Sequence, residues 1–213
     1  MRAPLPRFAA GRKQSAGKTA FTTLSRLGDR RTDDMIAHES ALIPGRECGE
    51  CTVCCRVPPI EDPALTKPAG VLCQHCIGNT CSIYKSRPQS CRDFYCQWRN
   101  LALLDENWRP DLSGVLINSR LQTGADGKET LAMVLMIFAD HAVIFDDGFA
   151  TLVAIWTDRG DEVILNLLFD NCRRGWETAL RPFVADGVAA GSLAQVKAGI
   201  RNAYTRMQRG IQT

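Results

Sequence analysis

Apolar residues recur with regular spacing from Leu101 to the C-terminus, and they do not do so before it. Gly114 to Asn118 and Leu131 to Phe138 read as strands, and Gly124-Ala125-Asp126-Gly127 between them supplies turn chemistry, so a β-hairpin is predicted. Ala142 to Phe145 reads as a short third strand and Asp161 to Phe169 as another. Asp147 to Thr157 has helical spacing, with Phe149, Leu152, Val153 and Trp156 on one face. Trp176 to Val184 and Ser192 to Gln208 are predicted helices, the second opening at a Ser192 cap.

Upstream the pattern breaks down in two stages. Residues 44–98 are dense in Pro and Gly (Pro44, Gly45, Pro58, Pro59, Pro63, Pro68, Gly70, Gly78, Pro88), which predicts loop and short helix. Such a segment has little periodic apolar surface, so something other than a hydrophobic core must fix it. Residues 1–43 read as a basic, unstructured leader with at most a short helix around Phe21 to Leu27. The division expected is therefore a leader (1–43), a cysteine-rich segment (44–98) and a body continuous with it (99–213). The expected fold class is α+β, a loop-rich, metal-bound cysteine lobe on a small α+β body with a β-hairpin and C-terminal helices.

Charge changes this picture little. The net charge of +3 is too small to argue for nucleic acid or a membrane surface. It is unevenly placed, since residues 1–46 carry nine Lys or Arg against four Asp or Glu, leaving the remainder mildly acidic. No stretch approaches the roughly 20 apolar residues of a membrane helix. The opening MRAPLPRFAAGRKQSAGK lacks the apolar middle of a secretory signal; its basic, acid-poor composition shares features with an organelle transit segment, but a solvated leader is the reading adopted.

Cysteine usage changes it more. Nine of the ten cysteines fall within residues 48–96, and no export signal accompanies them. In a reducing compartment that pattern means metal or redox chemistry, so the cytoplasm is expected. The first element is Cys48-Gly-Glu-Cys51-Thr-Val-Cys54-Cys55. A two-residue gap lets both sulfurs turn onto one ion, and Gly49 permits the curl. Adjacent Cys54 and Cys55 rarely aim at one point, so one of them is free to serve a second ion or another face of a cluster. The second element is Cys73-Gln-His75-Cys76, followed by Cys81, Cys91 and Cys96. Pro88 should stiffen the turn that returns the chain to Cys91. Arg87 and Arg92 are expected beside the thiolates, offsetting their charge and lowering thiol pKa values. Nine thiols could supply two four-ligand sites with one to spare. Zinc and iron both accept four thiolates, so spacing does not separate them.

The stretch CxxCxxCC followed by CSIYKSRPQSCRDF resembles the YkgJ-like cysteine-cluster family, bacterial proteins described as zinc- or iron-chelating. The likeness is specific over residues 47–98 and continues more weakly through Trp108-Arg-Pro-Asp-Leu-Ser-Gly114. It implies that Cys48, Cys51, Cys54, Cys55, Cys76, Cys81, Cys91 and Cys96 are the recurring cysteines, with Cys73 and His75 less clearly part of the pattern. A related cluster occurs in enzymes that methylate lysines of flagellin, but this chain lacks most of their extra length and that activity is not carried over.

Other features are read as structural. Gly11-Arg-Lys-Gln-Ser-Ala-Gly17-Lys18-Thr19 has five residues between its glycines where a phosphate-binding loop has four, and it follows no strand. His141 is read as a turn or strand-end residue, Met133 and Met136 as core, and Cys172 as a small apolar residue at a helix edge. His75 could ligate, though the middle residues of a CxxC loop usually point outward. Trp98, Trp108, Trp156 and Trp176 share no spacing, so no platform for nucleic acid bases is indicated. No Ser-His-Asp set or paired carboxylates can be assembled, and whether the chain catalyses anything is left open, as is a protein partner. The expectation is a metal-binding protein chelating zinc or iron, as ions or as an iron–sulfur cluster, through Cys48, Cys51, Cys54, Cys55, Cys73, Cys76, Cys81, Cys91 and Cys96. The alternatives are an iron–sulfur enzyme or redox protein, for example a protein-modifying enzyme related to the lysine methylases, and, ranked last, a disulfide-stapled domain.

Overall fold

A computed structural model of the 213-residue chain describes residues 42–123, 127 and 129–211. The Gly11 to Thr19 stretch and the helix expected at Phe21 to Leu27 lie outside the described residues, as does most of the predicted turn at 124–127.

In chain order the elements are α1 (Val53–Arg56), β1 (Ile60–Asp62), β2 (Leu65–Lys67), β3 (Cys76–Ile77), β4 (Thr80–Cys81), α2 (Gln89–Asp93) and α3 (Pro110–Ser113). There follow β5 (Val115–Thr123), β6 (Glu129–Ile137), α4 (Asp147–Asp158), β7 (Glu162–Phe169), β8 (Arg174–Ala179), α5 (Arg181–Ala189) and α6 (Leu193–Ile211). The fold is α+β. Strands β5 to β8 form one four-stranded sheet in sequence order, antiparallel except for the parallel β6–β7 pair. A parallel pair needs a crossover, and α4 is the helix that makes it.

Period-2 alternation divides the sheet. Val115, Ile117, Met133, Leu135, Ile137, Val163, Leu165 and Leu167 face the helices and pack with Phe149, Trp156, Val184, Val196 and Ile200. The helical face expected of Asp147 to Thr157 is buried throughout: Phe149, Leu152, Val153 and Trp156 all belong to this core. The opposite face carries Leu116, which with Val53 and Val57 forms a second, smaller cluster joined by Met136, Phe94 and Cys172. The cysteine lobe is thus docked on the sheet face that the helices do not use.

Two expectations are corrected. Residues 142–145 form no strand: His141–Phe145 is a 3-10 helix, because the Asp140 side chain accepts from the Ala142 amide at 2.9 Å and starts a turn. Residues 176–179 are strand rather than helix, since β8 pairs with β7 from Ile164↔Ala179 to Phe169↔Arg174. Pro182 then opens α5, where its missing N–H costs nothing. Tertiary pairing overrides the local pattern here. Ser192 does cap the last helix, accepting from the Gln195 amide at 3.4 Å.

The β7–β8 turn explains Cys172. Asp170, Asn171 and Cys172 all have positive φ (51°, 54° and 67°), so Cys172 sits in a tight hairpin turn, half-buried, and not at a helix edge. This turn presses on the lobe at Gly70, whose φ is +73° and where an added Cβ would fall 1.5 Å from the Asn171 carbonyl oxygen. Gly70→Ala should therefore lower stability by more than about 1 kcal/mol, read as a fall in the thermal midpoint. An unchanged midpoint would show that the turn and lobe are not in close register.

Candidate metal centre

Backbone hydrogen bonds assemble the lobe from its ends inward. The Ile43 amide donates to Arg99 O at 2.9 Å, and the Arg46 guanidinium donates to the carbonyls of Trp98, Leu101 and Leu104. These contacts bring the segment before Cys48 against the segment after Cys96. Within it, Cys51 N–H donates to Cys48 O at 2.9 Å, closing the first two-residue gap over Gly49, whose φ of +53° suits glycine. Cys76 N–H donates to Cys73 O at 2.9 Å, closing the second gap, and Cys73 N–H donates to Cys55 O at 2.9 Å, tying that pair to the end of α1. Cys76 faces Cys81 across the β3–β4 ribbon, turned by Gly78 and Asn79, both at positive φ. Cys91 is held in α2, which starts after Pro88, with Cys91 N–H on Pro88 O at 3.0 Å.

The result gathers all nine predicted cysteines. Cys48, Cys51, Cys54, Cys55, Cys73, Cys76, Cys81 and Cys91 line one cavity of about 580 Å³. Cys96 completes the wall of an adjoining pocket of about 30 Å³ that also touches Cys48, Cys51 and Cys54. His75 lines the larger cavity, whereas His141 and Cys172 line neither. His141 opens the 3-10 turn after Asp140, places Nε2 3.3 Å from Leu168 O and meets Phe169 edge-on, so of the expected turn or strand-end positions it takes the turn. All ten cysteines are free thiols.

Backbone polarity favours the charged form at two of the sulfurs, from Val53 and Asp111 at Cys51 and from Arg99 and Trp98 at Cys96. The Arg99 guanidinium donates to Cys48 Sγ at 3.3 Å. Asp111 in turn is gripped by Arg109 through two bonds of 2.7 and 3.0 Å, which holds its carboxyl below the usual range against the effect of burial. The stretch Trp108 to Gly114 is thereby linked to the cysteines through space.

Burial outweighs these donors. It pushes the Cys51 thiol up to about 12 and raises those of Cys76, Cys91 and Cys96. At Cys55 a hydrogen bond with Cys54, reinforced by burial, raises the thiol furthest. At these five cysteines burial thus outweighs the lowering expected of neighbouring cations.

The counter-charges also differ from expectation. Arg87 does line the cavity, stacked 4.3 Å from the Tyr84 ring centroid, but Arg92 turns away and donates to Arg87 O at 2.9 Å. The cations beside sulfur are Arg99 and Lys67. Lys67 is only 4% exposed, and its Nζ donates to the carbonyls of Arg56, Pro58 and Pro68 at 3.0, 2.7 and 2.9 Å. Nothing in the spacing marks Lys67, a charge between Leu65 and Pro68 in a short ribbon. Arg99, three residues past Cys96, could have been found by asking which cation follows the last cysteine.

Among the described residues, no group of three or more His, Cys, Asp or Glu side chains is placed to hold a metal ion. In residue type alone, the nine cysteines are ligands of the kind a thiophilic ion takes. Among the described residues, no helix is long and apolar enough to cross a membrane. No family model matches the chain, and no curated protein or solved structure matches it.

Proposed function

We propose that this protein binds zinc or iron through the cysteine thiolates of residues 48–96. One observation carries the reading: cysteines from α1, β3, β4, α2 and the intervening loops, far apart in sequence, line one cavity and the small pocket that adjoins it. Ordinary packing gives no reason to concentrate thiols this way, and a segment of short ribbons and single helical turns needs a further tie. The resemblance to YkgJ-like cysteine-cluster proteins agrees with this reading. Free thiols in this number suit a reducing compartment, so the cytoplasm is the location proposed.

Cys51→Ser and Cys91→Ser should each reduce bound metal, measured per chain after anaerobic purification. Unchanged metal content in both variants would overturn the ligand assignment.

A second reading is supported by the cavity itself. At about 580 Å³ it has the size of a small-molecule site, far more than an ion occupies. It is also walled by Tyr84, Tyr95, Phe94 and Arg87. That room favours an iron–sulfur enzyme or redox protein in which substrate meets the cluster. Iron with matching acid-labile sulfide would select this reading, and zinc without sulfide would reject it.

A further inference from the structure

The β3–β4 ribbon sets two cysteines face to face. Gly78 and Asn79, both in the left-handed region (φ 53° and 65°), make its two-residue loop, the type I′ geometry that keeps flanking strands paired. Thr80 Oγ1 donates to Ile77 O at 2.9 Å and pins the base of the loop. Ser82 N–H donates to His75 O at 2.8 Å, which makes His75 and Ser82 a hydrogen-bonded pair. Pairs alternate along an antiparallel ribbon, so Cys76 and Cys81, the next pair in register, are a non-hydrogen-bonded pair.

The Cα atoms of such a pair stand about 4.5 Å apart, with the side chains close on one face. A disulfide joins Cα atoms about 4.4–6.8 Å apart, so this backbone can hold one without rearranging. Other neighbouring thiols are less suited. Cys54 and Cys55 adjoin on α1, where consecutive side chains diverge by about 100° around the axis. Cys73 is buried, whereas Cys76 and Cys81 are half-buried and line the larger cavity. Ile77 and Thr80 beside them are exposed, so a small molecule can approach the pair.

We propose that Cys76 and Cys81 are a redox-active dithiol that exchanges with small-molecule disulfides of the glutathione class. One cysteine attacks a sulfur of the small disulfide and expels one small thiol, leaving a mixed disulfide on the protein. The facing cysteine then attacks the protein sulfur of that bond and expels the second small thiol. The Cys76–Cys81 bond forms; the protein gives up two electrons and two protons, and the small disulfide takes up both. Excess small thiol runs the same steps backwards. The inference goes beyond the metal-binding reading and does not rest on it; where metal is held, the oxidation withdraws two thiols from it.

The test equilibrates the full-length chain, as purified, in glutathione buffers of rising oxidised fraction. Free thiols are then alkylated and disulfides mapped by peptide mass spectrometry. Cys76 and Cys81 should lose alkylation together and before any other cysteines, with Cys73 still alkylated, and excess reduced glutathione should restore both. A first disulfide between other partners, such as Cys73–Cys76 or Cys55–Cys76, would overturn the pair, as would no protein disulfide at any ratio. Metal content per chain is read separately and decides the metal-binding reading, so the two fail independently.

Discussion

Stripping metal from this protein under reducing conditions should unfold residues 48–96 and leave residues 115–211 folded. The lobe has little else to hold it. Its ribbons are two or three residues long, α1 and α2 span four and five residues, and its own apolar clusters are centred on Val53, Val57, Ile60 and Leu65. Elements this short are marginal alone. Structural zinc sites contribute on the order of 10 kcal/mol to folding, which is large against such a segment. The body keeps the sheet–helix core around Trp156, Phe149 and Leu165, against which Cys96 is the one cysteine packed among the described residues. Hydrogen exchange gives the readout. The amides of Cys51, Cys55, Cys73 and Cys76, bonded within the lobe at 2.9–3.0 Å, should lose protection on chelation, while β6 and β7 keep theirs. Protection of those cysteine amides that survives complete metal removal would show that packing alone fixes the lobe.

Lys67→Met should be the most damaging single change outside the cysteines. Met preserves the apolar stem but abandons the three carbonyls that Nζ satisfies, those of Arg56, Pro58 and Pro68. Each buried acceptor left unpaired costs about 1–3 kcal/mol, so a loss on the order of 3 kcal/mol or more is expected. The same change removes the positive charge beside Cys73, Cys55 and Cys91 and should weaken metal binding. Urea unfolding and metal competition measure the two effects. A stability change within about 0.5 kcal/mol would mean that Lys67 is a surface residue in solution and not a tie between loops.

Elements with strong internal periodicity are legible in the sequence. The Phe149-Leu152-Val153-Trp156 face, the Ser192 cap, β7 and the long hairpin arms all follow from local spacing, because their buried faces repeat with the period of the element. Residues 142–145 and 176–179 escape such a reading for a different reason. Each is short, and what decides it lies outside it: a carboxylate cap at Asp140 in one case, pairing with β7 in the other. The site divides similarly. Cysteine density and the two-residue gaps mark all nine residues that meet at the cavity walls. The contacts that close the lobe are not visible there, since they depend on how the chain after Cys96 returns to Cys48 through Arg46 and Arg99, and on where Lys67 is buried. Desolvation is invisible too, and it reverses the expected direction of the thiol pKa values at Cys51 and Cys96, both raised chiefly by burial.

The measurement that bears most directly on the central claim is metal and acid-labile sulfide content per chain, on protein purified without oxygen. Bound zinc or iron at a stoichiometric level is expected, with the thiols of residues 48–96 slow to react until a chelator is added. Zinc without sulfide would favour separate thiolate-held ions, and iron with matching sulfide would favour a cluster. Protein that carries neither metal, with all ten thiols reactive from the outset, would contradict the metal-binding reading.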